Sequence, residues 1–318
     1  MKTHENLWPA ELAQDSEDLA LLDQASVVLS NFPKTWLCQW QEVWLPLAGW
    51  LASKKRYAAL PPIIGIHGGQ GSGKSTLSLA LTKIYKEAFN WNVAIVSIDD
   101  LYLTHAEREE LAATVHPLLI TRGVPGTHDY ELGQTLFGKL RRLSAGHKVA
   151  IPAFDKVSDD RLPEDQWHQI EGPIDMILFE GWCVGCQAVP EQALEQPIND
   201  LEEKEDIGGH WRRWVNEQLK YHYHDWFNAI DTLVMLKVPD MQAVSRWRTQ
   251  QEEENIRNRR GDGEDRSLDE IALARFIQHY QRLTEEALSS LPSYADLVLT
   301  INHQHCVDSV IQTDGRLA

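Results

Sequence analysis

Basic residues, cysteines and long apolar runs are all scarce in this chain. Its 318 residues include 30 Lys and Arg against 47 Asp and Glu, a formal charge of −17. A surface this acidic repels phosphodiester backbones, and a nucleic acid would need a strongly local basic patch. The densest basic cluster, Arg257, Arg259 and Arg260, is hemmed in by Glu252, Glu253, Glu254, Asp262, Glu264 and Asp265, which argues against nucleic acid as a partner. Four cysteines in a chain of this size do not make a disulfide framework. The longest apolar stretch, 58–66, falls far short of the roughly 20 residues that span a bilayer. Residues 1–20 are too polar and acidic for the apolar core of a secretory signal. No internal repeat stands out. These absences predict a cytoplasmic protein with no membrane partner.

The rest is ordinary globular composition, 43% hydrophobic and 24% charged. Short, near-continuous apolar runs at 63–67, 93–99, 149–154, 176–180, 232–238 and 296–301 alternate with helical patterns. Such runs are strands covered on both faces, and their separation by helical stretches argues for parallel βαβ units. The expectation is a layered α/β fold around a central, mostly parallel sheet. Residues 1–60 read as an N-terminal helical extension packed on that core. Within it Trp36, Trp40 and Trp44 recur every four residues. A stripe of this kind is usually buried against its own domain, with a partner-binding helix as the other reading. The acidic segment 197–209 reads as a surface loop, and 249–267, dense in both charge signs, as a mobile flap or a solvated helix face. Cys183 and Cys186 form a CxxC pair with no second pair of metal ligands at suitable spacing, so packing is expected rather than zinc or redox chemistry.

The decisive motif is Gly68-Gly69-Gln70-Gly71-Ser72-Gly73-Lys74-Ser75, followed by Thr76. It fits G-x-x-x-x-G-K-[ST] and lies between the first apolar run and a helix whose apolar face is Leu77, Ala80, Leu81, Ile84, Tyr85 and Ala88. Glycines let backbone N–H groups converge on phosphate oxygens without a Cβ in the way. The helix N-terminus adds its dipole, Lys74 is placed for the β- and γ-phosphates, and the Ser75 hydroxyl for Mg²⁺. A nucleoside triphosphate ligand follows.

In open α/β sheets ligands sit beyond the carboxyl ends of the strands, so acids there are informative. Asp99, with Asp100 beside it, ends the second run and is the candidate general base for a substrate hydroxyl, capping being the plainer role. Glu180 ends the fourth run and is the candidate partner of Ser75 around the metal. Gly181 after it would allow close approach of a nucleotide.

The order of these pieces resembles the P-loop kinases that include uridine kinase, phosphoribulokinase and type I pantothenate kinase, and within them the plant-type D-glycerate 3-kinase family. The resemblance covers about 63–240 and continues more weakly through Arg246. It rests on the phosphate loop, on Ser97-Ile98-Asp99-Asp100-Leu101-Tyr102-Leu103-Thr104 and on Arg122-Gly123-Val124-Pro125-Gly126-Thr127-His128-Asp129. It continues in Pro152-Ala153-Phe154-Asp155-Lys156 with Asp160-Arg161, in Ile177-Leu178-Phe179-Glu180-Gly181-Trp182, and in Arg246-Trp247-Arg248 with Gln250 and Glu252. The ending Ile301-Asn302-His303-Gln304-His305 departs from the plant pattern.

The resemblance implies a three-layer α/β/α P-loop NTPase domain over 61–318 with a helical lid at about 241–267. It also implies ATP and Mg²⁺ as cofactors, and Asp99 as base. Tyr102, Arg122, His128, Asp129, Lys156 and Arg161 would lie with Asp99 at the acceptor, and Arg246 and Arg248 on the lid over the transferring phosphate. The implied activity is phosphorylation of D-glycerate to 3-phosphoglycerate. A related kinase acting on a nucleoside, pantothenate or another sugar acid, and a partner-stimulated NTPase switch, are the alternatives.

Overall fold

Ten strands run in chain order among the described residues: β1 (Ile63–Gly68), β2 (Val93–Ser97), β3 (Lys148–Ile151), β4 (Phe154–Asp155), β5 (Asp160–Arg161), β6 (His168–Glu171), β7 (Met176–Gly181), β8 (Thr232–Lys237), β9 (Leu297–Ile301) and β10 (Val307–Gln312). The chain is seen in a computed structural model that describes residues 7–9, 12, 15–258 and 270–313, with 251–258, 270 and 271 as backbone only. Six strands form the central sheet in the order β10-β9-β8-β1-β7-β2. All its pairings are parallel except the β9–β10 edge. β1 and β7 lie inside and are buried at every residue, which is why their sequences are apolar throughout rather than alternating.

Successive residues of β1 point to opposite faces, so Ile64 and Ile66 pack on one side and Ile63 on the other. The first face is covered by the helix Lys74–Phe89 and by the N-terminal extension, with Leu22, Leu47, Leu51, Leu77, Leu81 and Ile84 in one apolar cluster. The second is covered by Leu136, Phe137, Tyr223, Trp226, Leu283 and Leu291. The result is the expected three-layer α/β/α arrangement. Polar ties also hold the extension in place. Tyr85 Oη donates to Ala48 O at 2.7 Å. Gln39 Nε2 donates to Val307 O, and Val307 N–H to Gln39 Oε1, both at 2.7 Å.

Several segments differ from the sequence reading. The run 149–154 does not join the central sheet. β3 pairs antiparallel with β6 in a separate two-stranded ribbon, and Pro152, with no N–H to give a ladder, follows its end. β2 ends at Ser97, and Asp99 stands in a 3₁₀ turn, Ile98–Leu101. The edge strand β10 had no apolar run to announce it, since only Val307 and Val310 are buried.

The segment 197–209 is not simply a loop. It contains the helix Asp200–Glu205, capped by the Asn199 side chain, and buries Leu201, Glu202 and Asp206. Its buried acids are paired with arginines of other helices, Glu202 with Arg282 at 2.6 Å and Asp206 with Arg212 at 2.8 Å. Trp36, Trp40 and Trp44 are buried as expected, but in two short helical pieces, with a π-helical turn over Trp40–Trp44. The helix Met241–Asn258 covers the start of the expected lid. Residues 259–267 and the side chains of the Arg257, Arg259 and Arg260 cluster lie outside the described residues. No helix among the described residues is long and apolar enough to cross a membrane.

Candidate active site

The phosphate loop leaves β1 and turns directly into the helix Lys74–Phe89. Gly71 and Gly73 have φ of +78° and +94°, a backbone region that L side chains rarely adopt. At Gly71 a side chain would also collide with Trp247, whose Cβ lies 2.5 Å from the position a Cβ would take. The Trp247 ring packs on His305 at 4.1 Å, so the loop rests on an aromatic brace. Lys74 Nζ donates to Gly69 O at 3.2 Å. Burial lowers the Lys74 pKa, opposed by the charges of Glu180 and Asp99.

Parallel register brings the acids to the loop. Ile66 of β1 and Ser97 of β2 both stand opposite Glu180 of β7, so Glu180 ends beside the phosphate loop. Ser75 Oγ donates to Glu180 Oε1 at 2.9 Å, which brings the two residues expected around a metal together. Gly181 lines the same cleft, yet the side where its Cβ would lie is filled by Ile98 at 2.3 Å. Packing, rather than nucleotide approach, is what requires glycine there.

The neighbouring acids Asp99 and Asp100 diverge. Asp99 accepts from Tyr102 Oη at 3.0 Å and from Lys156 Nζ at 2.6 Å. Burial raises its pKa, but Lys156, Lys74 and His128 outweigh that and hold it at about 2. Asp100 accepts from the Phe154 N–H at 3.2 Å. Burial, with Asp99 adding to it, pushes its pKa up to about 6.

These groups share one cleft of about 780 Å³, within the size range of small-molecule sites. Of the residues expected from sequence, Gln70 through Thr76, Asp99, Tyr102, Arg122, Lys156, Glu180 and Arg248 line it. Trp182, Phe276 and Tyr280 close the end of the cleft beside Arg122, whose carbonyl accepts from Tyr280 Oη at 3.1 Å. The Arg122 guanidinium pairs with Asp159 and lies over the Phe154 ring at 5.5 Å. Gly68 is the last residue of β1 and Gly69 follows it, and neither lines the cleft.

His128, Asp129 and Arg161 stand one layer behind. Arg161 donates to Asp129 at 3.1 Å and twice to the Tyr102 carbonyl, and Asp129 also caps the helix Tyr130–Arg141. The His128 ring stacks on Tyr102 at 4.5 Å and its Nδ1 meets Tyr223 Oη at 2.7 Å. Together they set where Tyr102 stands. Arg246 points elsewhere, its Nη2 at 2.7 Å from His303 Nδ1, while Arg248 faces the cleft and packs over Phe276. Cys183 and Cys186 are buried in the second apolar cluster, and burial raises both thiol pKa values.

The cleft's other wall has no counterpart among the residues expected from sequence. Pro33, Thr35, Trp36 and Trp44 of the N-terminal segment line it together with Leu236, Ile301 and His305. The regular Trp spacing was visible, but no motif ties those residues to the phosphate loop.

The chain resembles known proteins in sequence and in fold. Residues 63–188 match the phosphoribulokinase/uridine kinase family. The chain is 30% identical over 243 residues to the chloroplastic D-glycerate 3-kinase of Arabidopsis thaliana, covering 74% of this chain and 50% of that protein. It thus spans about half the length of the plant enzyme. It is 32% identical over 265 residues to the uncharacterized kinase mug58 of Schizosaccharomyces pombe, covering 79% of this chain and 88% of the relative. Among solved structures, the D-glycerate 3-kinase of Cryptococcus neoformans superposes with a TM-score of 0.68 at 24% identity, covering 85% of this chain and 98% of that one, which shows the shared fold.

Proposed function

Because the chain belongs to the phosphoribulokinase/uridine kinase family of P-loop kinases, we propose that it is an ATP-dependent phosphotransferase whose acceptor is D-glycerate or a close hydroxy acid. The observation that carries this reading is a single cleft holding two polar pairs, Ser75 with Glu180 and Lys156 with Asp99, beside Lys74.

Ser75 and Glu180 fit Mg²⁺: two hard oxygens 2.9 Å apart face the cleft next to the phosphate loop. When bound, the cation would supply positive charge against the phosphate chain, with Ser75 and Glu180 the side chains that would hold it. The loop N–H groups and Lys74 hold the phosphate chain and stabilise charge as it develops on the bridging and equatorial oxygens. Arg248 adds a planar, multi-donor guanidinium from the lid helix.

Asp99 takes the proton from the acceptor hydroxyl as that oxygen attacks the γ-phosphorus. In its ion pair with Lys156 it is a weak base. An acceptor carboxylate gives Lys156 a replacement partner, and releasing Asp99 from that pair raises its basicity. The cations Lys156 and Arg122 at this end favour an anionic acceptor over a neutral nucleoside.

The test is Mg²⁺-dependent ADP release with ATP and D-glycerate, beside a Lys74→Ala control and a panel of neutral and anionic acceptors. Release that requires D-glycerate and vanishes in the control is the expected result. Turnover on a neutral nucleoside alone would refute the acceptor assignment, and ATP hydrolysis indifferent to every acceptor would refute the kinase.

A further inference from the structure

We propose that the stacked Trp36–Trp44 pair of the N-terminal segment is the wall against which the base of the bound nucleotide lies. Residues outside the phosphate-loop domain then set nucleotide affinity. The inference rests on the nucleotide-binding reading above and adds a subsite to it.

Sheet order decides which way a nucleotide runs. β7 and β2 lie on one side of β1, and β8, β9 and β10 on the other. Glu180 is the penultimate residue of β7 and Asp99 follows β2, so the reacting γ-phosphate must face that first side. The nucleoside must therefore leave the loop toward β8–β10, where Leu236 and Ile301 line the cleft. His305, in the β9–β10 turn, lines it too.

The N-terminal segment is fastened at that end. Gln39 makes both of its amide hydrogen bonds to the Val307 backbone of β10, just beyond His305. Trp36 and Trp44, three and five residues from Gln39, therefore reach the cleft from the β10 side. Their rings stack at 4.8 Å with planes 8° apart, and Trp44 Nε1 donates to Trp36 O at 2.9 Å. Trp36 is 8% and Trp44 4% exposed, with Phe32 and Trp40 packed on Trp36, so what they show the cleft is a narrow, rigid aromatic strip. A fixed aromatic surface at the end of a phosphate-binding cleft suits the π-face of a base, and stacking of this kind tolerates any base. Pre-fixed rings lose little freedom when the base arrives.

Titration calorimetry with Mg·ATP and with Mg-tripolyphosphate, which has the phosphates and no base, tests the wall. In Trp36→Leu the affinity for ATP should fall by about tenfold or more while tripolyphosphate stays within about twofold. Tripolyphosphate binding also reports an intact loop. Trp36→Phe keeps a ring and should hold ATP within about threefold, but should lose part of the tryptophan quenching that ATP causes. Unchanged ATP affinity in Trp36→Leu, or equal losses for ATP and tripolyphosphate, would overturn the wall. Should Trp36→Leu not fold, the quenching decides: an ATP response in Trp36→Phe equal to wild type also overturns it. Wild-type protein that binds neither ligand would refute the nucleotide reading itself, a result distinct from normal ATP binding with an indifferent Trp36.

Discussion

Lys156 Nζ donates to Asp99 Oδ2 at 2.6 Å while Tyr102 Oη holds the other carboxylate oxygen at 3.0 Å. One cation thus masks the proposed base and, 59% exposed on its flexible stem, is free to swing to another anion. Lys156→Met should raise KM for a carboxylate acceptor about tenfold or more, the scale of a lost charge-assisted contact. It should also change the acid limb of kcat/KM. Asp99, held at about 2, stays ionised down to that pH. Without Lys156 the raising effect of burial has less to oppose it, the carboxylate protonates at higher pH, and activity is lost earlier as pH falls. Lys156→Arg should restore most of the profile. An acid limb that does not move in Lys156→Met would show that the ion pair does not control the base.

The two neighbouring acids should separate cleanly on substitution. Asp99→Asn should bind ATP normally and lose turnover by roughly 10²–10⁴-fold, the usual loss for a general base. Asp100→Asn should keep most of its turnover, since Asp100 is engaged by the Phe154 N–H and the amide oxygen can still accept there. Single-turnover rates with equilibrium ATP binding on both variants check this. Equal losses in the two would undo the assignment of the base.

Gly71 and Gly73 share a left-handed backbone but not its surroundings. Gly73→Ala meets nothing within 4 Å and should lose only the cost of its φ of +94°, about 1–2 kcal/mol. Gly71→Ala adds a collision with Trp247 at 2.5 Å and should cost about 2–4 kcal/mol in all. Urea midpoints at fixed pH compare them. Equal destabilisation would mean that Trp247 yields without cost and does not brace the loop.

Much of this was legible in the sequence because the chemistry is local. The phosphate loop announces itself by consecutive residues, and the strand and helix around it by runs of the right period. Glu180 was readable because a single acid closes an otherwise apolar strand. What sequence could not give is pairing across distance. Arg161, Asp129 and His128 carry the side chains a substrate pocket needs, yet in three dimensions they engage one another, Tyr102 and Tyr223. Nothing in the sequence joins Gln39 to Val307, and without that link Trp36 and Trp44 read only as core. β3 has the apolar content of a sheet strand but pairs elsewhere, a choice made by tertiary contacts.

Acid should unfold this protein mainly through buried imidazoles. Burial holds His67 and His128 at about 3 and His279 at about 4, with their backbone or charged neighbours only partly opposing it. Each is nearly inaccessible in the fold, and each titrates near 6.5 once unfolded. The folded state therefore keeps them neutral where the unfolded chain is already protonated. Their contribution is fully present above about pH 6.5 and is lost as pH falls toward 4. Asp100, raised to about 6, works in the opposite sense between roughly pH 4 and 6, because there the folded state holds the extra proton. With about three protons favouring unfolding and one opposing, stability should fall by roughly 2–3 kcal/mol per pH unit between about pH 6 and 4.5. Denaturant midpoints across that range measure the slope, and His279→Gln should reduce it by about 1 kcal/mol per pH unit. A flat profile from pH 6 to 4.5 would mean that these rings reach solvent and are charged in the folded protein.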